Sequence, residues 1–94
     1  MRRILIVDDE PIIVKGLLSV LEDSGLDADL YKAYSGEEAL AILADTRMDI
    51  VVSDVRMPGM DGLQLMEHIN RDWPECRVVF LSGHSEFDSI YRAV

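Results

Sequence analysis

Three acidic side chains in this sequence stand where a short apolar run ends. Ile4-Leu5-Ile6-Val7 is followed by Asp8 and Asp9, and Ile50-Val51-Val52 runs through Ser53 into Asp54. A third run, Val78-Val79-Phe80-Leu81, ends in Ser82-Gly83 and offers a hydroxyl instead of a carboxylate. If these runs are neighbouring strands, three carboxylates and a hydroxyl meet at one end of a sheet. Carboxylates about 4 Å apart repel by roughly 4 kcal/mol at an effective dielectric near 20, so such a group must hold a cation or take up protons. Oxygen donors with no His or Cys beside them suit magnesium. Taken singly, each residue has a plainer role: Asp9, two residues before Pro11, as a helix N-cap, Asp54 as a turn residue ahead of Pro58, and Ser82 as a loop hydroxyl. The conjunction of three strand ends favours a site.

The elements that must position these residues are written in the hydrophobic periods. Apolar runs at 4–7, 28–34, 50–52 and 78–81 predict four strands. The first, third and fourth are unbroken, as in parallel strands covered on both faces, whereas 28–34 is mixed and predicts an edge strand. Between them the period becomes helical. Ile13, Val14, Leu17, Leu18 and Leu21 form one stripe ending near Gly25. Ser35 with Glu38, and Asp61 with Gln64, have the capping-box spacing that opens the second and third helices, and Trp73-Pro74 closes the third. A fourth helix is expected from Ser85, with Phe87, Ile90, Tyr91 and Val94 on one stripe that still runs at the last residue. Strand and helix alternate four times with short connections, which specifies an α/β fold with a doubly wound parallel sheet and right-handed crossovers. Ligands of such sheets bind beyond the carboxyl ends of the strands, where Asp8, Asp9, Asp54 and Ser82 fall.

Composition narrows the function classes. The 94 residues carry 18 acidic and 9 basic side chains, for a net charge of -9. That balance repels a phosphate backbone or an anionic membrane over most of the surface. With 49% hydrophobic residues there is enough apolar surface for a single small domain, residues 1–94, to fold. A lone Cys76 forms no intrachain disulfide and favours a reducing cytoplasm. Arg2-Arg3 followed by four apolar residues is too short for a signal peptide or a membrane span.

At this point the chain resembles the receiver domain of bacterial two-component response regulators. The matching stretches are Ile4-Leu5-Ile6-Val7-Asp8-Asp9-Glu10-Pro11, the run from Asp49 through Asp54-Val55-Arg56-Met57-Pro58-Gly59-Met60-Asp61 to Gly62, and Val79-Phe80-Leu81-Ser82-Gly83. The resemblance implies the flavodoxin-like strand order 2-1-3-4-5, with Asp54 as phosphoacceptor and Ser82 as switch hydroxyl. It also implies that Asp8, Asp9, Asp54 and the main-chain carbonyl of Arg56 hold Mg2+. Pro58, Gly59 and Gly62 would shape the loop after Asp54, where Gly permits backbone angles other residues avoid. A sensor histidine kinase would be the phosphoryl donor and transcription the output, with DNA bound only through an output domain outside these residues. The segment from Ser82 to Phe87 resembles regulators carrying an arabinose-regulator-type helix-turn-helix.

The same resemblance sets two further expectations. The family's fifth strand, ending in a phosphoryl-pairing Lys, and its fifth helix need roughly 25 to 30 more residues than this sequence holds. A chain lacking both is expected to be phosphorylated poorly and to self-associate through the bare edge of the fourth strand. Rival readings are a haloacid-dehalogenase-type Mg2+ phosphatase, which wants a second Asp where Arg56 stands, and a degenerate receiver that only binds partners. Gly59-Met60-Asp61-Gly62 fits the Gly-x-x-Gly of a KH loop but lacks basic neighbours. His68 and His84 have no zinc spacing, the five Met read as core and loop fillers, and Cys76 reads as a small, partly buried hydrophobe rather than a nucleophile.

Overall fold

The computed structural model describes residues 2–81, in the order β1 (Arg2–Val7), α1 (Pro11–Asp23), β2 (Ala28–Ala33), α2 (Gly36–Asp45), β3 (Ile50–Asp54), α3 (Gly62–Asp72) and β4 (Arg77–Leu81). Ser82, His84 and the helix expected from Ser85 lie outside the described residues. All strand pairings are parallel and the sheet order is β2-β1-β3-β4. This is the flavodoxin-like, doubly wound α/β arrangement. No described helix is long and apolar enough to cross a membrane.

Alternation along the unbroken strands divides the core into two layers. Leu5, Val7 and Val51 turn to one face and pack with Ala39 and Leu43 of α2 and Leu65 and Ile69 of α3. Ile4, Ile6, Ile50 and Val52 turn to the other face and meet Val14 and Leu21 of α1. Every one of these strand side chains is essentially sealed from water, which is why β1 and β3 read as continuous apolar runs. The mixed strand, β2, is at the sheet edge. β4 was expected to be covered on both faces, yet Val78, Val79, Phe80 and Leu81 are only half-buried. Among the described residues it has β3 on one side and no strand on the other.

The helix ends follow their sequence signals with two differences. The Asp61 side chain accepts from the Gln64 N–H while the Gln64 side chain accepts from the Asp61 N–H, a complete capping box. Ser35 accepts from the Glu38 N–H, but Glu38 reaches back to the N–H of Tyr34 rather than of Ser35. The first residue before α1 is Glu10, which makes no side-chain cap, so Asp9 is not the N-cap. Ile13, placed on the buried stripe by periodicity, is 44% exposed, and Ile12 is 76% exposed.

Cys76 is buried with Met48 in the layer that includes Trp73, near the amino ends of the strands. Burial, with the Asp49 carboxylate adding to it, pushes its thiol up to about 11. The group is a protonated thiol at neutral pH, with roughly a hundredfold less thiolate than an ordinary cysteine. Iodoacetamide should therefore alkylate native Cys76 at least about a hundred times more slowly than the unfolded chain. Equal rates would show that this corner opens freely.

Candidate functional site

β1 and β3 are adjacent, with Val7 opposite Ser53, so Asp8 and Asp54 leave the sheet side by side. Asp8, Asp9 and Asp54 each offer a carboxylate oxygen, and these oxygens lie within 4.8 Å of one another. Among the described residues they form the one such group of potential metal-ligating side chains. The expected convergence of the three strand-end carboxylates is present.

The three differ in environment. Asp8 is only 3% exposed, whereas Asp54 is partly buried and Asp9 open to solvent. The N–H of Glu10 donates to Asp8 Oδ1 at 3.0 Å. The Asp8 N–H donates to the Ala33 carbonyl at 3.2 Å, which fixes the loop to β2. The N–H of Arg56 donates to Asp54 Oδ1 at 3.3 Å, leaving Oδ2 without a partner among the described hydrogen bonds. The buried Ser53 hydroxyl donates to the Asp54 carbonyl at 2.9 Å and steadies the end of β3.

Burial is the largest cause raising the Asp8 carboxyl above its ordinary range. The Glu10 N–H opposes it, while the charges on Asp54, Asp9 and Glu10 reinforce it. A hard dication among these oxygens would offset both desolvation and repulsion, and an all-carboxylate donor set suits Mg2+. The residues present thus fit that ion. The sign for stability follows from the raised carboxyl: without metal, its contribution is full below the ordinary carboxylate range and is lost as pH rises through the folded-state value. In EDTA at neutral pH, Asp8→Asn should raise Tm, by about 4–8 °C for each kcal/mol of strain removed. The gain should fade as the buffer is acidified and Asp8 takes up its proton. A lower Tm for the variant at pH 7 would contradict this account.

The loop after Asp54 contains two glycines with different tasks. Gly59 has φ +71° and faces the Glu37 carboxylate, 3.3 Å from where a Cβ would sit. Gly62 does not use special backbone angles, contrary to the sequence expectation. Its constraint is space: an added Cβ would overlap the Asp54 carbonyl oxygen and press on the Val55 Cα at 2.9 Å. The Gly62 N–H donates to the Val55 carbonyl at 2.8 Å, holding the first turn of α3 against the strand end that carries Asp54. Arg56 is exposed beside the cluster, and Ser82 lies outside the described residues. Sequence reasoning missed the buried Ser53 hydroxyl and the backbone donors of Glu10 and Arg56, because any residue type supplies an N–H.

The sequence pattern of the response regulator receiver domain matches residues 4–94. The transcriptional regulatory protein YesN of Bacillus subtilis is 40% identical over all of this chain, which spans 26% of that protein. The DNA-binding transcriptional regulator NtrC of Salmonella typhimurium is 38% identical over 94% of the chain, or 18% of that protein. The chain therefore corresponds to about a quarter or less of these relatives. Among solved structures, a two-component transcriptional regulator AraC from Clostridium phytofermentans superposes with a TM-score of 0.81 at 37% identity, over 95% of this chain and 73% of that one. The response regulator TrrA of Thermotoga maritima, solved in complex with Mg2+ and BeF, superposes over the full length of both chains with a TM-score of 0.84 at 26% identity. Sheet order, pattern match and structural likeness converge, and the chain belongs to the response regulator receiver domain family of two-component systems.

Proposed function

We propose that this chain is the phosphoacceptor switch of a response regulator, with Asp54 as the residue phosphorylated and a sensor histidine kinase as the donor. The observation that carries the reading is the meeting of Asp8, Asp9 and Asp54 oxygens within 4.8 Å at adjacent strand ends. Asp8, Asp9, Asp54 and the main-chain carbonyl of Arg56 would hold Mg2+. When bound, the ion neutralises carboxylate and phosphoryl charge, which is most of what phosphoryl transfer asks of a protein.

Asp54 is the nucleophile because it combines the strand-end position with an oriented carboxylate. The Arg56 N–H occupies Oδ1, so Oδ2 attacks the phosphorus of a phosphohistidine. The new O–P bond makes an acyl phosphate as the N–P bond breaks, and the kinase imidazole nitrogen takes a proton. The added phosphoryl oxygens are new acceptors, one of which takes the Ser82 hydroxyl and draws with it the segment after β4. Modification occurs once per signal, so the chain is a switch and not a turnover enzyme. Its output is transcriptional, as in the regulators it is similar to, through a segment outside these residues. The setting is cytoplasmic, where a lone thiol stays reduced.

Incubation with a small phosphodonor and Mg2+, followed by mass-spectrometric mapping, should place a single acyl phosphate on Asp54. Label on another carboxylate, or hydrolysis of many phosphomonoester molecules per chain, would overturn the reading.

A further inference from the structure

A groove of about 430 Å³ runs between α1 and the outer edge of β2, and none of the three site carboxylates lines it. Lys15, Ser19 and Glu22 stand on the helix side, Lys32 and Tyr34 on the strand side, with Leu18 between. Lys15 and Lys32 are the sole lysines of a chain whose net charge is -9. Both are exposed, and neither enters an ion pair among the described residues. The groove thus sets two ammonium groups against the single carboxylate of Glu22, a local excess of positive charge on a molecule that is acidic as a whole.

The strand wall carries unsatisfied backbone groups. Among the described residues β2 pairs only with β1, in the register Ile4 to Leu30 and Ile6 to Lys32. The Asp8 N–H reaches the Ala33 carbonyl, which sets the alternation: Asp29, Tyr31 and Ala33 direct their backbone groups to β1. Leu30 and Lys32 then turn N–H and C=O to the open side. Tyr34, next in this series, already gives its N–H to the Glu38 side chain at 3.3 Å. A lysine on an edge strand also discourages edge-to-edge association. That role accounts for Lys32 but not for Lys15 across the groove.

We propose that this groove receives an extended acidic peptide segment of a partner protein as an added strand beside β2. The backbone groups of Leu30 and Lys32 supply the ladder bonds, and the Lys15 and Lys32 ammonium groups engage carboxylates at alternate residues, which an extended strand turns to the one face that meets the groove. Charge complementarity fixes the class of occupant, since a basic segment would meet two ammonium groups that enter no ion pair among the described residues, with one carboxylate, Glu22, beside them.

The test is NMR titration of the 15N-labelled chain with the peptide acetyl-Glu-Val-Glu-Thr-Glu-Val-amide. Millimolar peptide should shift the amides of Leu30 and Lys32 and slow their hydrogen exchange. The double variant Lys15→Glu/Lys32→Glu, with both changes at exposed positions, should weaken binding at least tenfold while its other amide signals stay in place. N-methylation of alternate peptide residues should abolish the slowed exchange. The proposal is overturned if no shift appears at millimolar peptide, or if the double variant binds as well as the parent. It is equally overturned if the analogue with Lys in place of each Glu binds as tightly, or if the shifts centre on Asp8, Asp9 and Asp54.

Discussion

Asp54→Asn should leave no acyl phosphate after incubation with a small phosphodonor, whereas Asp9→Asn should slow labelling without moving it. Asparagine keeps an oxygen to accept the Arg56 N–H, now 3.3 Å from Asp54 Oδ1, so the loop after β3 should hold its shape. What is lost is the anionic oxygen to which the proposed function assigns the new bond to phosphorus. Asp8 is buried and tied to the Glu10 N–H, so it is a poor substitute nucleophile. Asp9 is exposed and its carboxylate is oriented by no described hydrogen bond. Its neutralisation should lower apparent Mg2+ affinity at least about tenfold and the labelling rate in proportion at subsaturating metal. Saturating Mg2+ should recover much of the rate in Asp9→Asn and none in Asp54→Asn. Circular dichroism of both variants checks that the fold is retained. Labelled Asp54→Asn would remove Asp54 from its assigned role, and equal Mg2+ dependence in Asp9→Asn would remove Asp9 from the metal set.

How much of this was legible beforehand depends on what each residue's type dictates. β1 and β3 were readable because burial on both faces demands an unbroken apolar run, and Ile4 to Val7 and Ile50 to Val52 are fully inside. The parallel layer and the placing of Asp8 and Asp54 at its carboxyl end followed from that alternation alone. The pairing of Asp9 with them was less secure, since successive strand residues point to opposite faces. It depends on the chain leaving the strand after Val7, where β1 ends. Ile13 was misplaced because helical periodicity assigns a stripe its width without saying how far a neighbour extends over it. Ile12 and Ile13 sit in the first turn of α1, where Val14 is the residue that turns fully inward onto the sheet. The orienting donors of Glu10 and Arg56, being main-chain, left no trace in the sequence.

Two of the helix glycines, Gly16 and Gly62, should respond oppositely to the same substitution. Gly16 lies inside α1, where an added Cβ meets nothing within 4 Å. Gly16→Ala should stabilise the chain by about 0.5–1 kcal/mol, because glycine in a helix loses more backbone entropy than alanine. Gly62 begins α3, so helix propensity alone predicts the same gain. There the Cβ would overlap the Asp54 carbonyl oxygen and crowd the Val55 Cα, both rigid backbone. Relief requires α3 to move away from the end of β3, breaking the 2.8 Å bond from the Gly62 N–H to the Val55 carbonyl and disturbing the packing of Leu65 and Ile69. Overpacking of this kind costs roughly 1–3 kcal/mol, which lowers Tm by about 4–8 °C per kcal/mol in a domain of this size. Because the displaced backbone carries Asp54 and Arg56, Gly62→Ala should also weaken Mg2+ binding, an effect absent from Gly16→Ala. Thermal melts of the two variants with and without Mg2+ separate the terms. A Gly62→Ala chain as stable as Gly16→Ala would mean that α3 is not seated by this contact, and that the carboxylate of Asp54 is held in place by its own strand alone.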